Sequence, residues 1–280
     1  MNRLDLIDLP GGWFNMGADD GPHKEDGEGP VRAIFVDRFK ISTTAISNSN
    51  FREFIKATNY RTLAEEIGSS FVFFGFLDSP NDYASSSLSP IWRSVRGACW
   101  HAPEGPESNV FERANHPVVH ISLRDALAFC DWNNIRLLSE AEWEYSARGG
   151  LDGMRFPWGN NLRYNGHKMA NVWEGSFPGF DKNKSKKFGT VKVNSFDPNN
   201  FGLYNMIGNT WELVSDRFTN LHSPRNQKNP HGPLNGDSFV GKGGSYLCHH
   251  SYCARYRVSS RQAIKFDTTT GNIGFRVASD

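Results

Sequence analysis

Cys248 and Cys253 bracket the densest chemistry in the sequence, C-H-H-S-Y-C, two thiols set among two histidines, a serine and a tyrosine. Such a pair can close as a disulfide, share a soft metal ion, or exchange with another thiol. Spacing alone does not choose among these. A zinc site would want tighter pairs and two further ligands, and exchange motifs use a shorter spacing at a helix start. A disulfide is the ordinary reading in a secreted chain. Arg255 and Arg257 follow closely. They favour thiolate if they face the sulfurs, and otherwise pair structurally with carboxylates. The other two cysteines, Cys99 beside Trp100 and Cys130 in Ala126-Leu127-Ala128-Phe129-Cys130, read as small buried apolar side chains.

The elements that must position this pair are short. The first forty residues read as strands and turns, through Gly12-Trp13-Phe14-Asn15-Met16 and Arg32-Ala33-Ile34-Phe35-Val36. Ser47 caps a helix whose Phe51, Phe54 and Ile55 recur at i, i+3 and i+4. Residues 78–116 mix Ser, Pro, Asn, Glu and scattered aromatics, which predicts a long ordered loop. Ser122 with Asp125 opens a helix to about Trp132, and Ser139 with Glu142 opens another that stops before Gly149-Gly150. Helical periodicity is absent after residue 150, and the basic run Lys182–Lys187 reads as a solvated loop.

The chain has 280 residues, 38% apolar and 22% charged, with a formal net charge of +1. That length supports a sizeable core and one domain, and no linker or repeat of fixed period divides it. Nearly cancelling charge argues against a nucleic-acid partner or an acidic tail. The longest apolar stretch, Phe71 to Leu77, is far too short for a membrane span. Arg3, Asp5 and Asp8 interrupt any apolar export signal, so a cytoplasmic location is expected. With 27 Gly, 8 Trp and 21 Phe, the composition predicts irregular backbone pinned by aromatic packing.

Seven strings taken in order then resemble one family. They are HPVVHISLRDALAFCDW (116–132), RLLSEAEWEYSARGG (136–150), FPWGN (156–160), ANVWEGSFP (170–178), GLYNMIGNTWEL (202–213), GGSYLCHHSYCARYR (243–257) and NIGFR (272–276). Their order and spacing resemble the formylglycine-generating enzymes, the sulfatase-modifying oxidases, and the likeness extends upstream through GGWFNMG, SFVFFG and PEGPES. Several of these strings mark only a wider superfamily that includes non-catalytic members. The two cysteines of the 243–257 string mark the catalytic branch.

The resemblance implies a single α+β domain over residues 1–280, related to the C-type-lectin fold, with little regular secondary structure. It implies oxidation of a peptidyl cysteine by O2 to Cα-formylglycine, on an unfolded segment of a client such as a sulfatase. Cu(I) would sit between Cys248 and Cys253, since soft thiolates select it. By the same match Ser245 and Tyr252 line the reaction pocket, Trp211 forms an aromatic wall, and His249 adjoins the substrate. Ser69, Ser70 and Ile91 fall at substrate-groove positions. One structural Ca2+ is implied at Asn205, Gly208, Thr210 and Glu212, an oxygen-rich set suited to a hard cation. A second would use Asn171 and Val172, but its further ligand positions fall on Ser185 and Lys187, among lysines that repel a divalent ion, so it is not expected.

Departures from the family concern the substrate. The family reads the arginine of C-x-P-x-R through two acids, and here Ala45 and Ser69 stand at those positions. His250 replaces an arginine, and Ile264-Lys265-Phe266-Asp267 replaces the usual N-T-P-D. Ala147, Val258 and Val277 stand where secreted members carry partner cysteines, leaving Cys130 unpaired, as a reducing cytoplasm and a prokaryotic-type enzyme would have it. The expectation is retained thiol chemistry with altered recognition.

Overall fold

A computed structural model describes residues 4–86, 89–181, 189–223 and 227–280. Four α-helices occur among them, each started by the same local device. In α1 (Asn48–Thr58), α2 (Leu63–Ile67), α3 (Leu123–Asn133) and α4 (Glu140–Arg148), a Ser or Thr side chain accepts the backbone N–H three residues on. The residue there, Asn50, Glu65, Asp125 or Glu142, reaches back to the cap's own N–H. Each helix ends on a left-handed Asn or Gly: Asn59, Gly68, Asn134 and Gly149. The capping boxes at Ser122 and Ser139 and the cap at Ser47 match the sequence reading; α2 was not anticipated. No described helix is long and apolar enough to cross a membrane.

The predicted loop over 78–116 is partly wrong. Trp92–Arg96 is a strand, paired antiparallel with Ser69–Phe73 on one side and Ala84–Ser85 on the other. Its side chains do not alternate cleanly between apolar and polar, so the pairing comes from its neighbours.

Two four-stranded sheets frame the rest. One runs Arg261–Lys265, Ser238–Lys242, Trp211–Arg217, Ile273–Phe275, antiparallel except where Trp211–Arg217 meets Ile273–Phe275 in parallel. The other runs Leu6–Leu9, Phe39–Ser42, Val277–Ser279, Arg136–Leu137. The last two strands of the chain thus belong to different sheets, and the residue between them is Arg276. Its fully buried guanidinium donates to both oxygens of Glu212, at 2.6 and 2.8 Å, and to the Tyr204 carbonyl at 2.9 Å. Trp143 of α4 donates its indole N–H to the same carboxylate at 2.6 Å.

A second buried network clamps α4. Glu140 takes a bidentate bond from Arg261, both at 2.7 Å, while Glu144 accepts from Lys242, Arg148 and the Gly17 N–H. Burial pushes the Glu144 carboxyl up, but Lys242 and Arg148 reverse this and hold it below the usual carboxylate range. Around these lie two large apolar clusters. One centres on Trp143, Phe39 and Ile34; the other holds Phe51, Phe54 and Phe129 together with Trp211, Cys248 and Cys253. The free cysteines Cys99 and Cys130 are buried as expected, and burial pushes the Cys130 thiol up to about 12.

Removing Arg276 strands a buried carboxylate between two sheets. Arg276→Met should therefore cost about 3–5 kcal/mol in denaturant unfolding, the range for breaking one side of a buried pair. A loss below about 1 kcal/mol would show that the pair does not join the sheets.

Candidate active site

Strand Ser238–Lys242 ends in Gly243-Gly244, both left-handed, at φ 84° and 74°. A Cβ on Gly244 would lie 2.4 Å from the Arg255 carbonyl oxygen, so only glycine lets the outgoing chain pass this close to the returning one. The loop then turns twice. Cys248 N–H bonds to the Ser245 carbonyl at 2.9 Å, and the N–H groups of Tyr252, Cys253 and Ala254 converge on the His249 carbonyl at 3.0 Å. These turns bring Cys248 and Cys253 to a Cα separation of 4.9 Å with their sulfurs joined. Both are buried, at 2% and 7% exposure. The structure thus holds the pair in its oxidised form; reduction yields two adjacent thiols.

Backbone and side chains support one sulfur directly. Ser245 N–H donates to Cys248 Sγ at 3.4 Å. The buried Ser245 Oγ accepts from Asn272 Nδ2 at 3.0 Å and from Leu247 N–H at 3.3 Å, which leaves its own hydrogen as the group's remaining bond. Asn272 is fixed in turn by Thr270 Oγ1, which donates to its Oδ1 at 2.7 Å. Asn272 also joins the pocket to the sheet, because its carbonyl accepts from Trp211 N–H at 2.9 Å. Sequence reasoning used Asn272 only as part of a superfamily string and missed this bond, which spans 27 residues.

Trp211 is buried in the same apolar cluster as the two cysteines. Tyr252 is 44% exposed, with its ring stacked on Phe177 at 4.5 Å and its hydroxyl 3.3 Å from Ser89 Oγ. Phe177 in turn contacts Trp173 and Phe73, giving an aromatic rim that the sequence reading did not single out. His249 is buried, stacked over Phe177, and bonded through Nδ1 to Ser251 Oγ at 2.8 Å. Burial and the adjacent His250 lower its pKa, so it is neutral at physiological pH.

The two arginines take the structural option. Arg255 binds Asp26 at 2.5 Å and Arg257 binds Glu28 at 2.5 and 2.7 Å, so their charge is neutralised by the loop before Pro30. Arg255 also donates to the Cys253 carbonyl, which receives the His23 ring at 2.8 Å as well.

Groove positions are divided. Ser69 is half-buried and pairs across its sheet with Arg96, while Ala45 is buried. Ser70 faces inward, with its hydroxyl on the Thr269 carbonyl at 2.9 Å and on His120 Nδ1 at 2.7 Å. Ile91 is buried against Phe73, Tyr246 and Leu247, one residue from Cys248.

For a hard cation, the turn 205–212 holds an oxygen with bonding capacity to spare. Asn205 Oδ1 is buried with no hydrogen-bond partner, while its Nδ2 donates to the Lys192 and Val193 carbonyls at 3.0 Å. Gly208 is left-handed and lies so close to Asn171 that a Cβ would meet its carbonyl oxygen at 2.6 Å. Asn205 Oδ1 is thus the atom of this set with capacity for a cation, while both oxygens of Glu212 already accept from Arg276. At the second position Asn171 spends its Nδ2 on the Gly189 carbonyl and on Asn209 Oδ1, and Val172 is buried in the apolar core. Ser185, Lys187 and the basic run lie outside the described residues.

Thiol titration checks the cysteine assignment. Air-oxidised and then unfolded, the protein should present the two thiols of Cys99 and Cys130, and four after reduction. Four after air oxidation would contradict the adjacency of Cys248 and Cys253.

Residues 2–280 match the family described as the sulfatase-modifying factor enzyme 1-like domain. The formylglycine-generating enzyme of Mus musculus is 45% identical over 278 residues, covering 98% of this chain and 75% of that protein. That of Thermomonospora curvata is 46% identical over 282 residues, covering 98% and 93%. An inactive Cα-formylglycine-generating enzyme 2 of Bos taurus is 38% identical over 280 residues, covering 99% and 88%. Among solved structures, PvdO from Pseudomonas aeruginosa shares the fold at a TM-score of 0.70 and 23% identity, covering 98% of this chain and 93% of its own. The chain belongs to the sulfatase-modifying factor family, whose relatives include the formylglycine-generating enzymes.

Proposed function

We propose that this chain oxidises a peptidyl cysteine of a client protein, such as a sulfatase, to Cα-formylglycine with O2. The observation that carries this reading is the buried Cys248–Cys253 pair, with the Ser245 N–H bonded to one sulfur and the exposed Tyr252 next in sequence to the other cysteine. Turning the thiol-bearing CH2 group into an aldehyde consumes one O2 and yields, besides the aldehyde, one hydrogen sulfide and one net water. That balance takes two electrons and two protons from an external thiol reductant.

The reduced pair fits Cu(I): two soft, adjacent donors, closed off from water. Bound there, the ion supplies one-electron chemistry with O2, which a thiol alone lacks. The chain's own residues do the rest. Both sulfurs are held within one short loop, so they need little rearrangement to act together. Ser245, with its acceptor sites filled by Asn272 and Leu247, keeps its hydroxyl hydrogen free to donate. Tyr252 supplies a second donor, held parallel to Phe177 so that a substrate backbone can lie beside it. Trp211 excludes water from the floor. Ca2+ at Asn205, Gly208, Thr210 and Glu212 would brace the turn that carries Trp211.

Substrate recognition departs from the C-x-P-x-R rule. Ala45 and Ser69 offer no carboxylate to a guanidinium, and the cross-strand partner of Ser69 is Arg96. Losing such a pair removes a few kcal/mol of recognition. We place the protein in a reducing cytoplasm, where Cys99 and Cys130 stay free.

Mass spectrometry of cysteine peptides incubated aerobically with the Cu(I)-loaded protein and a thiol reductant tests this reading. Aldehyde should form whether or not the peptide carries the arginine, and Cys248→Ala or Cys253→Ala should abolish it. Aldehyde only with arginine would overturn the specificity argument. No aldehyde on any peptide would favour a non-catalytic role or another thiol substrate.

A further inference from the structure

Away from the cysteine loop, a cavity of about 270 Å³ opens between strand Arg32–Val36, the start of α4 and residues 219–223 and 227–233. None of its lining residues belongs to the site described above. Its distinctive member is Arg32, which is only 7% exposed. Arg32 Nε is buried with no hydrogen-bond partner, and the guanidinium makes no ion pair with any described residue. A guanidinium stays charged when buried, so an unpaired one bears a desolvation cost that a partner should relieve.

Among the described residues the wall supplies no such partner. Glu140 is taken by Arg261 at 2.7 Å on both oxygens. Asp216 accepts the N–H groups of Glu140 and Gly232, each at 2.7 Å. The His222 ring sits on the Gly27 carbonyl at 2.7 Å. Glu144, whose field also reaches Arg32, is held by Lys242 and Arg148. Arg217 lies over the Phe239 ring and bonds to the Gly236 carbonyl. Among the described residues, three guanidinium groups, Arg32, Arg217 and Arg261, therefore line the cavity against two carboxylates, Glu140 and Asp216, one positive charge in excess. The remaining wall includes Met16, Ile34 and Leu221, an apolar side that suits the body of a small molecule.

We infer that this cavity binds a small molecule through an oxyanion group, a carboxylate or a phosphate, seated on Arg32. Fork geometry makes guanidinium the natural receptor for either group, and two parallel N–H···O bonds from its terminal nitrogens would pair a charge that no described residue pairs. The cavity is closer to the size of a metabolite fragment than of a peptide, so the ligand is a small acid rather than part of the client protein.

Thermal shift and calorimetry on the full chain test the inference, with sodium acetate, sodium benzoate and sodium phosphate as probes at ionic strength held constant with sodium chloride. At least one probe should stabilise the protein saturably. Arg32→Met should weaken the apparent Kd at least tenfold, and Arg32→Lys, which keeps charge without the fork, should fall between. A response to phosphate alone identifies a phosphorylated ligand, and a response to the carboxylates alone an organic acid. Should Arg32→Met fail to fold, the arginine Nε–H resonances of the wild-type protein give the answer: one buried resonance should shift on titration and saturate. No saturable response to any probe, or unchanged affinity in Arg32→Met, would overturn the inference.

Discussion

Everything at the candidate site hangs from the carboxylate of Glu212. It accepts from Arg276, which sits at the crossing of two sheets, and from Trp143, which ties in α4. The strand that carries Glu212 carries Trp211 beside it, and Trp211 N–H bonds to the carbonyl of Asn272. Asn272 then donates to the Ser245 hydroxyl, and the Ser245 backbone N–H donates to the Cys248 sulfur. A chain of contacts thus runs from a buried charge pair to a reactive atom. Buried ion pairs are weak evidence for net stability, because desolvation offsets their attraction. Here the pair matters for position: a one-residue change of register at Arg276 would move Asn272 away from the pocket.

Rigidity on one side of the loop is matched by neutrality on the other. Asp26 and Glu28 cancel Arg255 and Arg257, so the cysteine pair does not sit in a strongly positive field. A thiol in such a place gains little help in ionising from nearby charge. On the proposed reading that help comes from a bound soft cation, which takes only the deprotonated form. The neutral loop would then keep the pair inert until metal and substrate are both present, an arrangement that limits idle consumption of O2.

Local devices were legible in the sequence and distant ones were not. Ser47, Ser122 and Ser139 could be read as helix starts because a cap acts over three residues. Burial of Cys99 and Cys130 followed from their apolar neighbours. Strand Trp92–Arg96 was hidden because its own residues show no clean alternation, and α2 because five residues are too few to show a period. The partners of Arg255 and Arg257 lie 229 residues away, and no pattern near the arginines announces them. The inward turn of Ser70 is of the same kind, set by Thr269 and His120 rather than by its own strand. Family resemblance located the cysteines, but only geometry revealed that Asn272 and Phe177 belong with them.

The claim on which the proposed activity rests is that the reduced pair forms one soft-metal site. Titrating the reduced protein with Cu(I) against a colourimetric chelator measures this directly. The account predicts a single tight equivalent, lost in both Cys248→Ser and Cys253→Ser and retained when Cys130 is replaced by serine. Absence of a tight site in the reduced wild-type protein, or tight binding that survives loss of either cysteine, would contradict it.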